Sequence, residues 1–250
     1  MARRIPTNVS RETMTERFLI VAMDGPGGVG KSSVGRALCA RRGFFFLSSG
    51  QIYRAMAWHA LRHGWDGAGA VPEDALAGFD LRLGGAEGPL LDGEPLGDRL
   101  VTEEVAKATS ILSTQPLFRE RANTAQRDVV ARMRGEGVYN GVIVEGRDIG
   151  TVVFPDAPLK IYLTARPEVR AQRRFAELCE SQPGLTLEAV TSDLLERDRR
   201  DMERALAPLR PAEDAREVDT SELDMEGVVA ALEALVEEAE KLMGQETPGA

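Results

Sequence analysis

The chain has 250 residues, 43% of them hydrophobic and 28% charged, ordinary values for a folded protein with a real core. A formal net charge of −9 argues against nonspecific nucleic-acid binding, and no apolar run approaches the roughly 18 residues that a membrane-crossing helix needs. Arg supplies 27 of the 31 basic residues, and nine of those lie between Arg166 and Arg210. Arg offers a planar fork of donors that matches phosphate oxygens, so this cluster in an acidic protein points to a small anionic ligand. Cys39 and Cys179 are far apart, show no metal spacing and are expected to be buried, reduced thiols of a cytoplasmic protein.

Met1 to Arg17 is polar and Arg-rich, lacks the apolar stretch of a secretory signal, and carries Glu12 and Glu16, which argue against an organellar presequence. It is expected to be a flexible extension, with Met14 an alternative start. Phe18 to Met23 is a continuous apolar run, as in a strand buried on both faces of a parallel sheet. It leads into Asp24-Gly-Pro-Gly-Gly-Val-Gly-Lys-Ser-Ser33, after which Val34, Ala37, Leu38 and Arg41 recur at helical spacing up to a stop at Gly43. Phe44 to Leu47 reads as a second strand, and Gly50 to His63 as an amphipathic helix. Dense glycine and two short apolar runs between Gly64 and Gly97 suggest a hairpin-rich insertion. Helical spacing returns from Thr102 to Arg134, and Val142 to Val144 and Leu159 to Leu163 are further short strands. Two charged helices split by Gln182-Pro-Gly184 follow, then a strand at Arg216 to Val218 and a closing helix from Asp224 to Met243. Strands alternating with helices imply an α/β fold with a doubly wound parallel sheet.

Gly25-x-x-x-x-Gly30-Lys31-Ser32 fits the P-loop pattern, which chance produces in roughly 1% of chains this long. The bland reading, a glycine-rich turn that binds nothing, loses to the context of a buried strand before and a helix after. Gly25, Pro26, Gly27, Gly28, Val29, Gly30, Lys31, Ser32 and Ser33 would wrap the phosphates of ATP with inward-turned N–H groups at a helix start. Lys31 would reach the β- and γ-phosphates, and the Ser32 hydroxyl would hold Mg²⁺. The fold is thus of P-loop NTPase type. A switch GTPase should carry Asn-Lys-x-Asp, and the sequence has none. A kinase needs a second anion site, and two segments offer one. Ser48-Ser-Gly-Gln-Ile-Tyr-Arg54 follows the second strand, and Glu145-Gly-Arg-Asp148 follows Val142 to Val144, both on the carboxyl edge of the sheet where ligands bind. Glu145 can orient Mg²⁺-bound water. A capped helix with a surface Arg, and a turn with a salt bridge, are the competing readings. Arg197, Asp201 and Arg204 fall on one helical face by i, i+4, i+7 spacing, although a charge run by itself usually marks a solvated face.

Together these pieces resemble the bacterial cytidylate kinases, a branch of the nucleoside monophosphate kinases, from about Phe18 to Leu242. The carrying segments are Ser49-Gly-x-x-Tyr-Arg54, Gly146-Arg-Asp-x-Gly-Thr-Val-Val-Phe-Pro-Asp-Ala157, and Arg197-Asp-x-x-Asp-x-x-Arg204 with Ala207-Pro-Leu209. Thr102 to Arg119 resembles that family's base-binding stretch. The resemblance implies a single kinase unit over 18–243, followed by a loose tail at 244–250. Its core would be interrupted by a monophosphate-binding region at 50–134, hairpin insertion at about 64–97 included, and by an Arg-rich lid at 166–195. It implies ATP as co-substrate and CMP or dCMP as acceptor, with UMP, AMP or shikimate kinases and a non-catalytic ATP-binding regulator as alternatives. Ser49, Tyr53, Arg54, Arg147 and Arg204 would hold the monophosphate; Ser110, Arg119 and Asp148 would read cytosine; Arg197 and Asp201 would contact ribose. Arg170, Arg173 and Arg174 are candidates for the ATP phosphates, and Lys31, Arg54, Arg147 and Arg204 for stabilising the transferring group. Ser48 stands where the family pattern has Asp, and Glu145 where it has Asp; the first removes a carboxylate that could hydrate Mg²⁺. No nucleic-acid or membrane partner is expected, and a monomer is. A phosphate acceptor is mostly dianionic at neutral pH and needs no general base, so His59 and His63, four apart without a third ligand, are expected to be non-ligands.

Overall fold

The structure is a computed structural model that describes residues 18–83, 89–180 and 182–245. It forms two compact units: one from the chain up to Leu47, Arg132–Met202 and Leu209 onward, the other from Ser48–Ala131 and Glu203–Pro208.

The first unit is built on a five-stranded sheet of β1 (Leu19–Asp24), β2 (Phe45–Ser48), β6 (Gly141–Glu145), β7 (Leu159–Thr164) and β8 (Arg216–Asp219), in the order β2-β6-β1-β7-β8. β1 pairs in parallel with β6 (Val21 opposite Ile143) and with β7 (Met23 opposite Ile161), and β7 pairs in parallel with β8. β6 is buried along its whole length and β1 nearly so, which explains their unbroken apolar sequences. One face is covered by α1 (Lys31–Arg42) and α7 (Met225–Gln245), whose Val34, Leu38, Val229, Leu232 and Val236 pack with Leu19, Val21, Met23 and Ile161. Gly43 ends α1 in the left-handed conformation, donating its N–H to the Cys39 carbonyl, as its position after the last apolar residue suggested. The chain order of the strands reverses direction about β1, and a crevice at the carboxyl end of such a switch point is where open α/β sheets bind ligands.

The second unit packs α2 (Ser49–Arg62), α3 (Glu103–Leu112) and most of α4 (Pro116–Glu136) around Met56, Ala57, Ala60, Trp65, Leu112 and Phe118. The expected hairpin insertion is present as three two-residue antiparallel strands, β3 (Leu81–Arg82), β4 (Leu90–Leu91) and β5 (Glu94–Pro95). Pro95 sits on an edge strand, where its missing N–H breaks no ladder bond. The helical spacing expected from Thr102 to Arg134 is divided between two helices. Thr102 caps α3 by accepting the Val105 N–H, and Pro116 starts α4, where its fixed φ suits a first helical position.

Two expectations need correction. α7 runs through Gly244 to Gln245, so these two residues, expected in a loose tail, are helical; residues 246–250 and the 1–17 extension lie outside the described residues. Cys39 is buried, its thiol pushed up to about 12 by burial, but Cys179 is exposed at the end of α5 (Pro167–Leu178), on a helix whose buried face is narrow. His59 and His63 stack at 3.9 Å between ring centroids, and His59 Nε2 lies 2.9 Å from the Ala77 carbonyl. Among the described residues no helix is long and apolar enough to cross a membrane.

Candidate active site

β1 ends at Asp24 and the loop that follows returns to helix at Lys31. Its shape depends on glycine at defined places. Gly25 has φ +145°, and a Cβ there would lie 2.2 Å from the Leu163 carbonyl oxygen of β7. Gly28 has φ +75°, and a Cβ on it would lie 3.1 Å from the Arg170 carbonyl oxygen. Pro26, Gly27, Val29 and Gly30 complete the turn, with Val29 buried and Gly30 left-handed at the cap of α1. Lys31 is buried, and its ammonium donates to the Gly25 and Pro26 carbonyls at 2.7 Å each. Burial above all, and then the nearby Arg147, hold its pKa well below the ordinary lysine range, while Glu145 and Asp24 pull the other way. Ser32 Oγ lies 2.9 Å from both carboxylate oxygens of Glu145, at the end of β6; Ser33 is exposed beside it.

Arg147 donates from Nε to Asp201 Oδ2 at 2.9 Å and from Nη1 to the Gly146 carbonyl at 3.1 Å. Asp148 is buried at the head of a single π-helical turn, Ile149–Val153, a rare local form often found at functional sites. That turn is held by a residue to which the sequence assigned no role. Asp24 accepts the Ile149 N–H at 2.9 Å and the Gly150 N–H at 2.8 Å. Burial pushes its carboxyl up to about 6, the two N–H bonds lower it, and the charge of Asp148 raises it further. The one signal available was a carboxylate closing an apolar strand immediately before the loop.

Of the three arginines expected near the ATP phosphates, Arg170 is buried against Gly27 and Asp198. Arg173 donates to Thr220 Oγ1 and to the Thr220 and Leu223 carbonyls. Arg174 is exposed and pairs with Glu177 at 2.9 Å. Arg197 and Asp201 are both on α6 (Leu187–Glu203), and the charge of Arg197 helps to lower the Lys31 pKa. Asp198, the inward-facing residue beside them, was not singled out from sequence; a charge run hides which of its members is buried.

In the second unit, Ser49 opens α2 directly after β2, followed by Tyr53 and Arg54. Tyr53 makes an edge-to-face contact with Phe118 at 5.6 Å, and the buried Arg119 guanidinium lies 5.7 Å over its ring. Arg119 Nη1 donates to the Ser113 carbonyl at 3.1 Å, Arg54 Nη1 donates to the Leu100 carbonyl at 2.8 Å, and the Ser110 carbonyl accepts from Ser113 Oγ. Ser49, Tyr53, Arg54, Ser110 and Arg119 thus belong to one packed group of helices. Arg204 lies one residue past the end of α6, so the expected single helical face carries Arg197 and Asp201 but stops short of Arg204. Arg204 Nε donates to the Ala207 carbonyl at 2.5 Å, across a turn in which Ala207 takes φ +50°.

A parallel sheet wound about β1, a glycine loop feeding a helix N-terminus, and a buried lysine among carboxylate and guanidinium groups together define a P-loop protein of the kinase class. The sequence profile of cytidylate kinases matches residues 21–238, and the chain belongs to that family. It is 46% identical over 229 residues to a cytidylate kinase of Rhodococcus jostii (strain RHA1), spanning 90% of this chain and 97% of that one. A cytidylate kinase of Rhodococcus opacus (strain B4) is 44% identical with the same coverage, and that of Methylococcus capsulatus (strain ATCC 33009 / NCIMB 11132 / Bath) is 39% identical over 90% of this chain and 99% of its own.

Proposed function

We propose that the protein transfers the γ-phosphoryl group of ATP to CMP, and to dCMP, giving CDP or dCDP and ADP. The observation that carries this is the convergence of Lys31, Ser32, Glu145 and Arg147 at the carboxyl ends of β1 and β6, in a chain of the cytidylate kinase family. The acceptor phosphate is its own nucleophile, so the barrier to lower is electrostatic repulsion between two anions. Lys31 suits that task because burial and the neighbouring arginines disfavour its charge until an anion arrives. Arg147, Arg54 and Arg204 would hold the acceptor phosphate with Ser49 and Tyr53, Ser110, Arg119 and Asp148 would read the base, and Arg197 and Asp201 the ribose. The segment 166–195 would act as the lid that keeps water from the transferring group.

The oxygen donors fit Mg²⁺, a hard cation that favours hydroxyl, carboxylate and water ligands. Ser32 would hold the ion and Glu145 would orient its water, 2.9 Å apart as they are. When bound, the ion would neutralise charge on the β- and γ-phosphates. We place the enzyme in the cytoplasm, as a monomer that engages neither nucleic acid nor membrane.

The test is ADP release by a coupled assay with ATP and Mg²⁺, comparing CMP, dCMP, UMP and AMP with no acceptor. Release that requires CMP or dCMP is expected. Rapid release without any acceptor overturns the kinase reading, and a preference for UMP or AMP overturns the substrate.

A further inference from the structure

The glycines that let the phosphate loop follow its path also leave it free to take others, and a loop of N–H donors is effective only when its shape is fixed before the ligand arrives. What fixes it here comes from the two helices after β7. Arg170 of α5 and Asp198 of α6 are only 5% and 7% exposed, and they form an ion pair at 2.5 Å. That pair closes on a single residue of the loop. Arg170 Nη1 donates to the Gly27 carbonyl at 3.0 Å, and the Gly27 N–H donates to Asp198 Oδ1 at 3.4 Å. Arg170 Nε donates to the Ala165 carbonyl at 3.1 Å, so the clamp is itself anchored just past the end of β7. Packing adds to the same restraint: Leu194 of α6 lies 3.3 Å from where a Cβ on Gly27 would sit.

We infer that Arg170 and Asp198 are positioning residues for ATP, which hold the phosphate loop in its binding shape by engaging both backbone groups of Gly27. This rests on the kinase reading above and assigns Arg170 a task other than direct contact with phosphate. Buried ion pairs contribute little net stability against apolar replacements, so a pair at this place is better explained by the geometry it imposes. Removing Asp198 would leave the Gly27 N–H without that acceptor and the buried guanidinium without its counter-charge.

Two mechanisms give opposite signs for one substitution. If the pair positions the loop, Asp198→Ala weakens ATP binding. If Arg170 were a phosphate ligand restrained by Asp198, the same change would release its guanidinium, and ATP would bind equally well or more tightly. The measurement is direct titration with a fluorescent ATP analogue, with KM for ATP and for CMP determined in parallel. Asp198→Ala is expected to raise Kd and KM for ATP by about tenfold or more, the scale of one buried polar group left unpaired, and to change KM for CMP by less than about threefold. Asp198→Asn, whose Oδ1 can still accept the Gly27 N–H but whose amide nitrogen cannot accept from Arg170, is expected to recover part of the loss. A lowered Tm with unchanged Kd for ATP would show the pair to be structural only and overturn the inference, as would tighter ATP binding. Should Asp198→Ala fail to fold, Arg170→Lys carries the test: a rise of about three- to tenfold in Kd for ATP is expected, because one ammonium cannot span the three acceptors, and a value within about twofold of wild type overturns it. Titration needs no acceptor, so a wild-type protein that binds ATP yet transfers nothing to CMP would fail the functional reading without deciding this one.

Discussion

Around the phosphate loop, polar and charged side chains are tied to partners on other elements: Ser32 to Glu145, Arg147 to Asp201, Arg170 to Asp198, Asp24 to the turn after Asp148. The second unit is held differently. Its helices rest on an apolar core, and its polar side chains make short ties within the unit, Arg54 to the Leu100 carbonyl and Arg119 to that of Ser113. In the first unit, backbone and buried charge set the geometry, so a change there should cost turnover or folding. In the second, ordinary helices rest on an apolar core, so a single polar change there should cost less.

The sharpest break of that contrast would come from Lys31→Ala. Cationic donors to a transferring phosphoryl group are worth ~10³–10⁵ in rate, so kcat should fall by about that much while circular dichroism stays unchanged. A variant within about tenfold of wild type would mean that the loop does not do the chemistry. Next in size is Asp24→Asn. The native state retains a proton on Asp24 up to about pH 6, whereas the unfolded chain releases it near pH 4. Stability therefore falls as pH rises through that window, by at most on the order of 3 kcal/mol, and is level above it. The variant has no such titration, so its Tm relative to wild type should rise between pH 4 and pH 7 on top of a constant penalty for the altered hydrogen bonds. A difference that does not change with pH would remove buried charge as the reason for the Asp24 shift.

Asp148→Asn probes the acceptor instead. An ionised carboxylate can only accept, which suits the amino group of cytosine and repels the carbonyl of uracil; such a contact discriminates by about 1–3 kcal/mol. The ratio of kcat/KM for CMP to that for UMP should shrink about tenfold. If both substrates suffer equally and the ratio holds, Asp148 orients Arg147 and does not read the base. The mildest change, Thr102→Ala, removes the cap of α3 and should lower stability by about 1 kcal/mol in denaturant titration, with kcat nearly unchanged. A large loss of kcat would show that the helix carrying Ser110 tolerates less fraying than its distance in sequence from the phosphate loop suggests.

How much of this was legible in the sequence follows the same division. The phosphate loop could be read because its function demands glycine at particular φ values and a lysine at fixed spacing, constraints local in sequence. Strand positions were readable because burial on both faces forces unbroken apolar runs such as Val142 to Val144. Ser110 and Arg119 carry no local constraint, and only the resemblance to a family singled them out. Asp24 and Asp198 escaped because their partners lie far away in sequence, the Ile149 N–H for Asp24 and the Arg170 guanidinium and Gly27 N–H for Asp198, and nothing in a single chain marks such pairs.

The strand order has a consequence for how the enzyme comes into being. β1 is flanked by β6 and β7, not by β2, so the sheet cannot close around the phosphate loop until Gly141–Glu145 has left the ribosome. Synthesis of the intervening chain takes roughly ten seconds at typical rates. For that interval Leu19 to Met23 is a nascent apolar strand with both edges open, the kind of segment that aggregates or recruits chaperones. Residues from Ser48 onward, whose helices pair with near neighbours, can meanwhile fold on their own local contacts.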